Sequence, residues 1–323
     1  MLKLLKMVLG GVLLVTANMA NAAWPDRPVT LVVPFPPGGG TDIVGRLISK
    51  ELSDRLGVSV VVENRPGAAG NIGARYVAKA KADGYTLLLG TTAQSISAAI
   101  YNNPGYDFVN DFESIVTVNE GPLVLFSRPN LGVSSIKDLV KMAKEKPGTI
   151  TYASPGNGTS AHMAAEVFSL ATGVQMIHVP YTGAAPAMND VMSGEVDMAF
   201  DLILSALPFI NSEKVKGLGI ATKERYSLEP NIATLAEQSP ENLGEFHETA
   251  WNVLMAPKGT PSHIVDKLNE TMKEVLNSEP VKQKFSEMRN VSMWKTIQDS
   301  EKFVANDVEK WKAVVEEAKI QKQ

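Results

Sequence analysis

Apolar and polar positions along this chain switch repeatedly between two periods. Residues 29–33, Val-Thr-Leu-Val-Val, form a short apolar run, the pattern of a strand covered on both faces. Directly afterwards Ile43, Val44, Leu47, Ile48 and Leu52 recur at helical spacing. The intervening stretch, 34–42, reads Pro-Phe-Pro-Pro-Gly-Gly-Gly-Thr-Asp and is a strand-to-helix turn. The unit repeats. A strand at 58–63 precedes a Gly-rich turn and a helix from about 71 to 82, and a strand at 85–89 ends in the polar lip 90–95. Three such units in sequence predict a parallel sheet with right-handed crossovers, whose ligands bind beyond the carboxyl ends of the strands.

Further along, 115–118 and 123–126 read as two short strands broken by Glu120-Gly121-Pro122, and the chain is expected to cross into a second lobe here. Ser135 with Asp138 resembles a capping box opening a helix to about 145. The strand–turn–helix plan then returns. Strands are predicted at 150–153, 176–179, 197–200 and 217–221, with a Gly-rich turn at 154–160 and helices at 161–171, 184–192 and 202–209. A strand at 251–256 is the expected return crossing. Thr260-Pro261 reads as a cap and first helical residue, with Ile264, Leu268, Met272 and Val275 on one face of the helix. The last helix runs from about 297 to 318, with Phe303, Val308, Trp311 and Val315 as core contacts. The predicted division is a discontinuous lobe of 24–121 with 251–323, and a lobe of 122–250. Their facing glycine-rich edges would form a cleft.

The triple-glycine turn is the focus of the predicted chemistry. Glycines let a backbone approach a ligand closely, and Thr41 or Asp42 can cap the helix that follows. The free N–H groups and dipole of that helix end favour an anion, so the turn reads as half of a cradle for a small carboxylate.

The amino terminus changes where the protein is expected to act. Lys3 and Lys6 lead into an apolar run to Val15, and small residues end in Ala20-Asn21-Ala22-Ala23. That is a secretory signal peptide over 1–22, cleaved after Ala22 or Ala23 and too short to span a membrane comfortably. Removing 22 of 323 residues leaves 301 and, with the two lysines gone, takes the formal charge from −4 to −6. Such a chain has no basic patch for nucleic acid. With no cysteine, it has no disulfide, thiolate metal site or lipid-modified terminus, which fits a soluble periplasmic protein.

Catalytic motifs are incomplete. Gly156-Asn157-Gly158-Thr159-Ser160-Ala161 matches a dinucleotide turn, but the next strand ends in Pro180-Tyr181 with no ribose-binding acid. No P-loop lysine follows a glycine turn. Ser160 and His162 point in different directions, and His162, His178, His247 and His263 have no zinc spacing. His178, within an apolar strand, reads as a core residue. Asp42 and Asp201 could pair as in glycoside hydrolysis, but no sugar-stacking aromatic cluster accompanies them. Binding without cofactor or metal is the reading, and an exported hydrolase or lyase acting on a small organic acid is the alternative.

Several stretches together resemble a known family. They are Trp24-Pro25-Asp26-Arg27-Pro28, the 33–42 turn, Glu63-Asn64-Arg65-Pro66-Gly67-Ala68-Ala69-Gly70-Asn71-Ile72-Gly73, Asp83-Gly84-Tyr85-Thr86-Leu87, His178-Val179-Pro180-Tyr181-Thr182-Gly183 and Ala256-Pro257-Lys258-Gly259-Thr260-Pro261. The chain resembles the Bug-type receptors, the extracytoplasmic substrate-binding proteins of tripartite tricarboxylate transporters, over its whole mature length. The resemblance implies an α/β type II periplasmic-binding fold with two lobes joined by crossing strands, each lobe a mostly parallel sheet flanked by helices. It implies a small carboxylate ligand, delivered to a membrane permease with one large and one small integral subunit; the receptor is expected to be a monomer. By position, ligand contacts would come from Phe35, Pro37, Gly38, Gly39, Gly40, Thr41 and Asp42. Thr91, Thr92 and Gln94 would add to them from the same lobe, and Ser154, Asn157, Thr159, Ser160, Tyr181, Thr182 and Asp201 from the other. Asp201 would repel an anion directly, so its expected partner is an amine, a hydroxyl or a water.

Overall fold

The computed structural model describes residues 24–317, 320 and 322, so the predicted leader and its cleavage point lie outside the described residues. Strands β1 (Val29–Val33), β2 (Val60–Asn64) and β3 (Thr86–Thr91) pair in parallel with β1 central. Helix α1 (Gly40–Leu56) joins the first two. A 3-10 turn over Ala68–Gly70 and α2 (Asn71–Ala78) lead to the third, and α3 (Thr92–Ile100) follows it. Val29, Leu31, Val33, Ile48, Leu52 and Leu87 are completely buried on one face, with Val32, Val77 and Leu88 on the other. Burial on both faces is why β1 and β3 read as apolar runs rather than alternating ones.

Next come β4 (Phe112–Ser127), α4 (Ile136–Glu145), β5 (Ile150–Ser154), α5 (Ser160–Thr172) and β6 (Met176–Pro180). They are followed by α6 (Ala184–Ser193), β7 (Met198–Leu202), α7 (Ile203–Asn211), β8 (Lys216–Ile220) and two short helices, α8 (Leu235–Gln238) and α9 (Pro240–Leu243). The chain returns through β9 (Thr249–Pro257) and ends with α10 (Ser262–Asn277), α11 (Glu279–Glu287), β10 (Val291–Ser292) and α12 (Ile297–Glu317). The strand order is β2-β1-β3-β9-β4-β7-β5-β6, with β8 and β10 also on β4. Parallel strands thus lie at both ends of a curled sheet, and the antiparallel pair β4 and β9 links them.

Two local expectations are corrected. The predicted break at 120–122 is absent, and β4 is one strand of 16 residues. Pro122 lies opposite Thr249, the first residue of β9, where a missing N–H costs the ladder little. The register with β9 shifts between Ser114 and Val116 and again between Thr117 and Asn119, so the strand bends rather than stopping. At the other end, α10 starts at Ser262 with Pro261 as its cap residue, and the Thr260 hydroxyl donates to the Pro257 carbonyl instead of capping the helix. Ser135 does cap α4, accepting from the Asp138 N–H.

The two halves are apposed. Met163 of α5 is buried among Ile96, Ile100, Trp311 and Val315 of α3 and α12. Burying a side chain of that size is worth about 1.5–3 kcal/mol, and that gain exists only while the halves touch.

Candidate functional site

The glycine turn is held by a carboxylate behind it. Asp42 is buried, and its Oδ2 accepts from the Gly38 N–H at 2.9 Å and from Arg46 Nε at 2.8 Å. Its Oδ1 accepts from Asn64 Nδ2, which also donates to the Phe35 carbonyl. Burial acts to raise the Asp42 pKa, but the hydrogen bonds from Arg46, Gly38 and Asn64 outweigh it and hold the carboxyl below its ordinary value. The helix cap is Gly39, with no side-chain hydrogen bond, so neither Thr41 nor Asp42 caps as predicted. Positive φ falls on Gly38, at 85°, whereas Gly39 has an ordinary φ of −82°. The tight position is Gly40, where a Cβ would stand 2.5 Å from Leu202 Cδ1 and 3.3 Å from Leu204 Cδ1 across the cleft.

Behind these contacts a cavity of about 90 Å³ lies between the halves. Five helices begin on its wall. Gly40 and Thr41 start α1, Thr92 starts α3, Ser160 starts α5, Ala184 and Ala185 start α6, and Leu202 precedes α7. α1, α6 and α7 carry no side-chain cap. In α1 the first intrahelical bond is Ile43 N–H to the Gly39 carbonyl, so the N–H groups of Gly40, Thr41 and Asp42 have no helical acceptor. No lysine, arginine or histidine lines the cavity among the described residues, and its one ionisable wall residue is Asp201. Partial positive charge from helix ends, rather than a buried cation, is therefore what the site offers an anion. This spares the desolvation cost of a full ammonium or guanidinium.

The predicted contact residues separate into three groups. Phe35, Pro37, Gly39, Gly40, Thr41, Thr91, Thr92, Thr159, Ser160 and Asp201 line the cavity. Asn157, Tyr181 and Thr182 instead line an outer cleft on the far side of Phe35 and Pro36, and the Tyr181 hydroxyl donates to Asp190. Gly38, Asp42, Gln94 and Ser154 do not line the cavity. The Gly38 N–H is taken by Asp42. Gln94 is fully buried, accepting from the Thr91 N–H and donating to the Ala69 carbonyl, so it closes a capping box rather than offering a polar contact. Ser154 is fully buried, 2.7 Å from His178 Nε2.

Some lining hydroxyls also have internal duties. Thr92 Oγ1 accepts from the Trp251 N–H, and Thr159 caps α5 by accepting from the His162 N–H. Several wall residues are not among the predicted contacts. Gly183–Pro186 carry no polar side chain, and their only cue is a helix start without a capping residue. Asn119, Asn252 and Asn290 come together only through the register of β4, β9 and β10.

Asp201 ends β7. Its Oδ1 accepts from the Leu202 N–H at 2.7 Å and its Oδ2 from Ser205 Oγ at 3.0 Å. Burial pushes its pKa up to about 6, with those two hydrogen bonds acting the other way. Beneath the 154–160 turn, Tyr152, His178 and His162 form a ring stack, the two imidazoles 4.2 Å apart. Burial pushes both histidines down to about 4, and His162 Nδ1 accepts from the Gly158 N–H. These histidines serve the turn, and neither is hydrogen-bonded to Ser160; the Ser–His contact present, Ser154 with His178, is buried beneath the turn and does not line the cavity.

Known proteins resemble this chain over most of its length. A family model described as the tripartite tricarboxylate transporter family receptor matches residues 44–320. Protein BugT of Bordetella pertussis is 35% identical over 315 residues, spanning 95% of each chain. The solved structure of R. palustris Rpa4515 with adipate has a TM-score of 0.89 at 34% identity, covering 93% of this chain and 100% of its own. MatC from Rhodopseudomonas palustris with bound malate has a TM-score of 0.84 at 30% identity, covering 90% and 99%.

Proposed function

This chain belongs to the tripartite tricarboxylate transporter receptor family, and we propose that it is a periplasmic solute-binding receptor that closes on a small carboxylate and delivers it to a membrane permease. The observation that carries the reading is the cavity between the halves, where five helices begin and no cationic side chain among the described residues lines the wall. A carboxylate there accepts from N–H groups of α1 on one side and of α5 and α6 on the other, so it bridges the closed form. Residues 24–121 with 251–323 form one lobe and 122–250 the other, hinged on β4 and β9. The leader over 1–22 is removed on export, and the receptor acts as a monomer beside one large and one small permease subunit. No catalytic step is part of this role.

Relatives solved with adipate and malate support a ligand of that size and charge. A ligand that binds only the folded state raises the melting temperature by mass action; at 100 times its Kd the gain is about 2.7 kcal/mol. A thermal-shift screen of small mono-, di- and tricarboxylates should therefore find at least one that raises Tm by several degrees, with uncharged amide analogues inert. A screen in which no carboxylate stabilises the protein contradicts the reading.

A further inference from the structure

Resting on that reading, we infer that Asn119 is a specificity-determining residue, and that the cavity selects a carboxylate carrying a neutral hydrogen-bond donor, a hydroxyl, for its Oδ1. The orientation of the amide follows from its neighbours. Asn290 Nδ2 donates to the Met288 carbonyl at 3.3 Å, so its Oδ1 faces Asn119 and accepts from Asn119 Nδ2 at 2.7 Å. Asn119 Oδ1 is left with no partner among the described residues, although the residue is only 2% exposed and lies on the cavity wall. An unpaired buried acceptor is costly, and such groups are rare unless something unseen pairs with them.

The surrounding fold holds that acceptor in place. Asn119 follows the register shift in β4 and lies directly opposite Asn252 of β9, so both amides sit on the crossing strands between the two rims. A Cβ on Gly121 would stand 2.6 Å from Asn290 Oδ1, so a glycine there is what lets Asn290 seat against β4 and fix Asn119. Asp201, also on the wall, is a second group whose carboxylate oxygens accept. The rims thus supply donors, while Asn119 on β4 and Asp201 on β7 supply acceptors. An ammonium would satisfy those acceptors, but five helix amino ends make the cavity electropositive, which favours a neutral hydroxyl.

The probes are malate, succinate and 2-fluorosuccinate, titrated calorimetrically into wild-type protein and Asn119→Leu. Succinate lacks the hydroxyl, and fluorine keeps much of its size without an O–H. A site built around a hydrogen bond rejects the analogue that lacks it far more strongly than a site built around shape. The expected result is malate at least tenfold tighter than either analogue in wild type, with the ratio falling to within about twofold in Asn119→Leu. Equal binding of malate and 2-fluorosuccinate by wild-type protein overturns the inference even if the variant does not fold. So does an unchanged ratio in a folded variant, and so does binding of another carboxylate from the thermal-shift screen but none of these three. Failure of every carboxylate to bind refutes the receptor reading itself.

Discussion

Gly40→Val is expected to weaken ligand binding about 100-fold, or about 2.7 kcal/mol, while the unliganded protein stays folded. Gly40 is the first residue of α1 and does not require positive φ, so a β-branched side chain costs the helix little. The cost lies across the cleft, where a Cβ would come within 2.5 Å of Leu202 and 3.3 Å of Leu204. One Leu202 methyl can rotate away from an alanine, but the two branches of valine also reach toward Leu204. The halves relieve that overlap by parting, and parting separates the two sets of N–H groups that hold the ligand. Calorimetry gives the affinity, and small-angle scattering at saturating ligand shows whether closure is lost. Wild-type affinity in Gly40→Val would mean that the closeness of α1 to α7 is unrelated to binding. Gly39 is a poorer probe, because its Cβ would meet nothing nearer than the Pro36 carbonyl oxygen at 3.9 Å.

The second large effect concerns Asp201. With its carboxyl pushed up to about 6, the group is mostly protonated at pH 5 and mostly charged at pH 7.5. An anion in the same cavity is repelled only by the charged form, so binding takes up a proton and affinity falls as pH rises through 6. For a ligand without an ammonium and already ionised at pH 5, the loss between pH 5 and pH 7.5 is expected to be about tenfold. Asp201→Asn should abolish the slope and bind more tightly than wild type at pH 7.5. His162 and His178, pushed down to about 4, remain neutral across this range and do not contribute. Stability has the same sign. Asp201's folded pKa lies above its unfolded value, so its contribution is full below pH 3.8 and lost as pH rises through 6. Asp42 is opposite in sign, its contribution present above the ordinary carboxylate range and lost as pH falls below it. Calorimetric titrations across pH on both proteins check the binding claim, and a flat wild-type profile would contradict it.

The order of strands and helices was legible because most strands are buried on both faces and announce themselves as short apolar runs between glycine turns. The return through β9 was legible for the same reason. What failed was local punctuation. Gly121-Pro122 signals a break, yet the partner strand begins opposite it and the strand runs on. At the site, backbone chemistry was easier to anticipate than side-chain chemistry. The turns at Gly40 and Ser160 lie where the glycine pattern put them, whereas Gln94, Ser154 and Asp42 spend their polar groups on the protein itself. Gly183–Pro186 stayed hidden because a helix end that binds through bare amides has no side chain to advertise it. Asn119 and Asn252 stayed hidden because they are 133 residues apart and meet only through sheet register.

The amide protons themselves give the most direct test. In proton–nitrogen spectra of labelled protein, saturation with a carboxylate that stabilises it should move the signals of Gly40, Thr41, Ala184 and Ala185 downfield and slow their exchange with solvent. Both effects follow when an N–H on each rim donates to the same anion. A bound, saturating carboxylate that leaves those four amides unshifted and exchanging as before would show that the anion is held elsewhere.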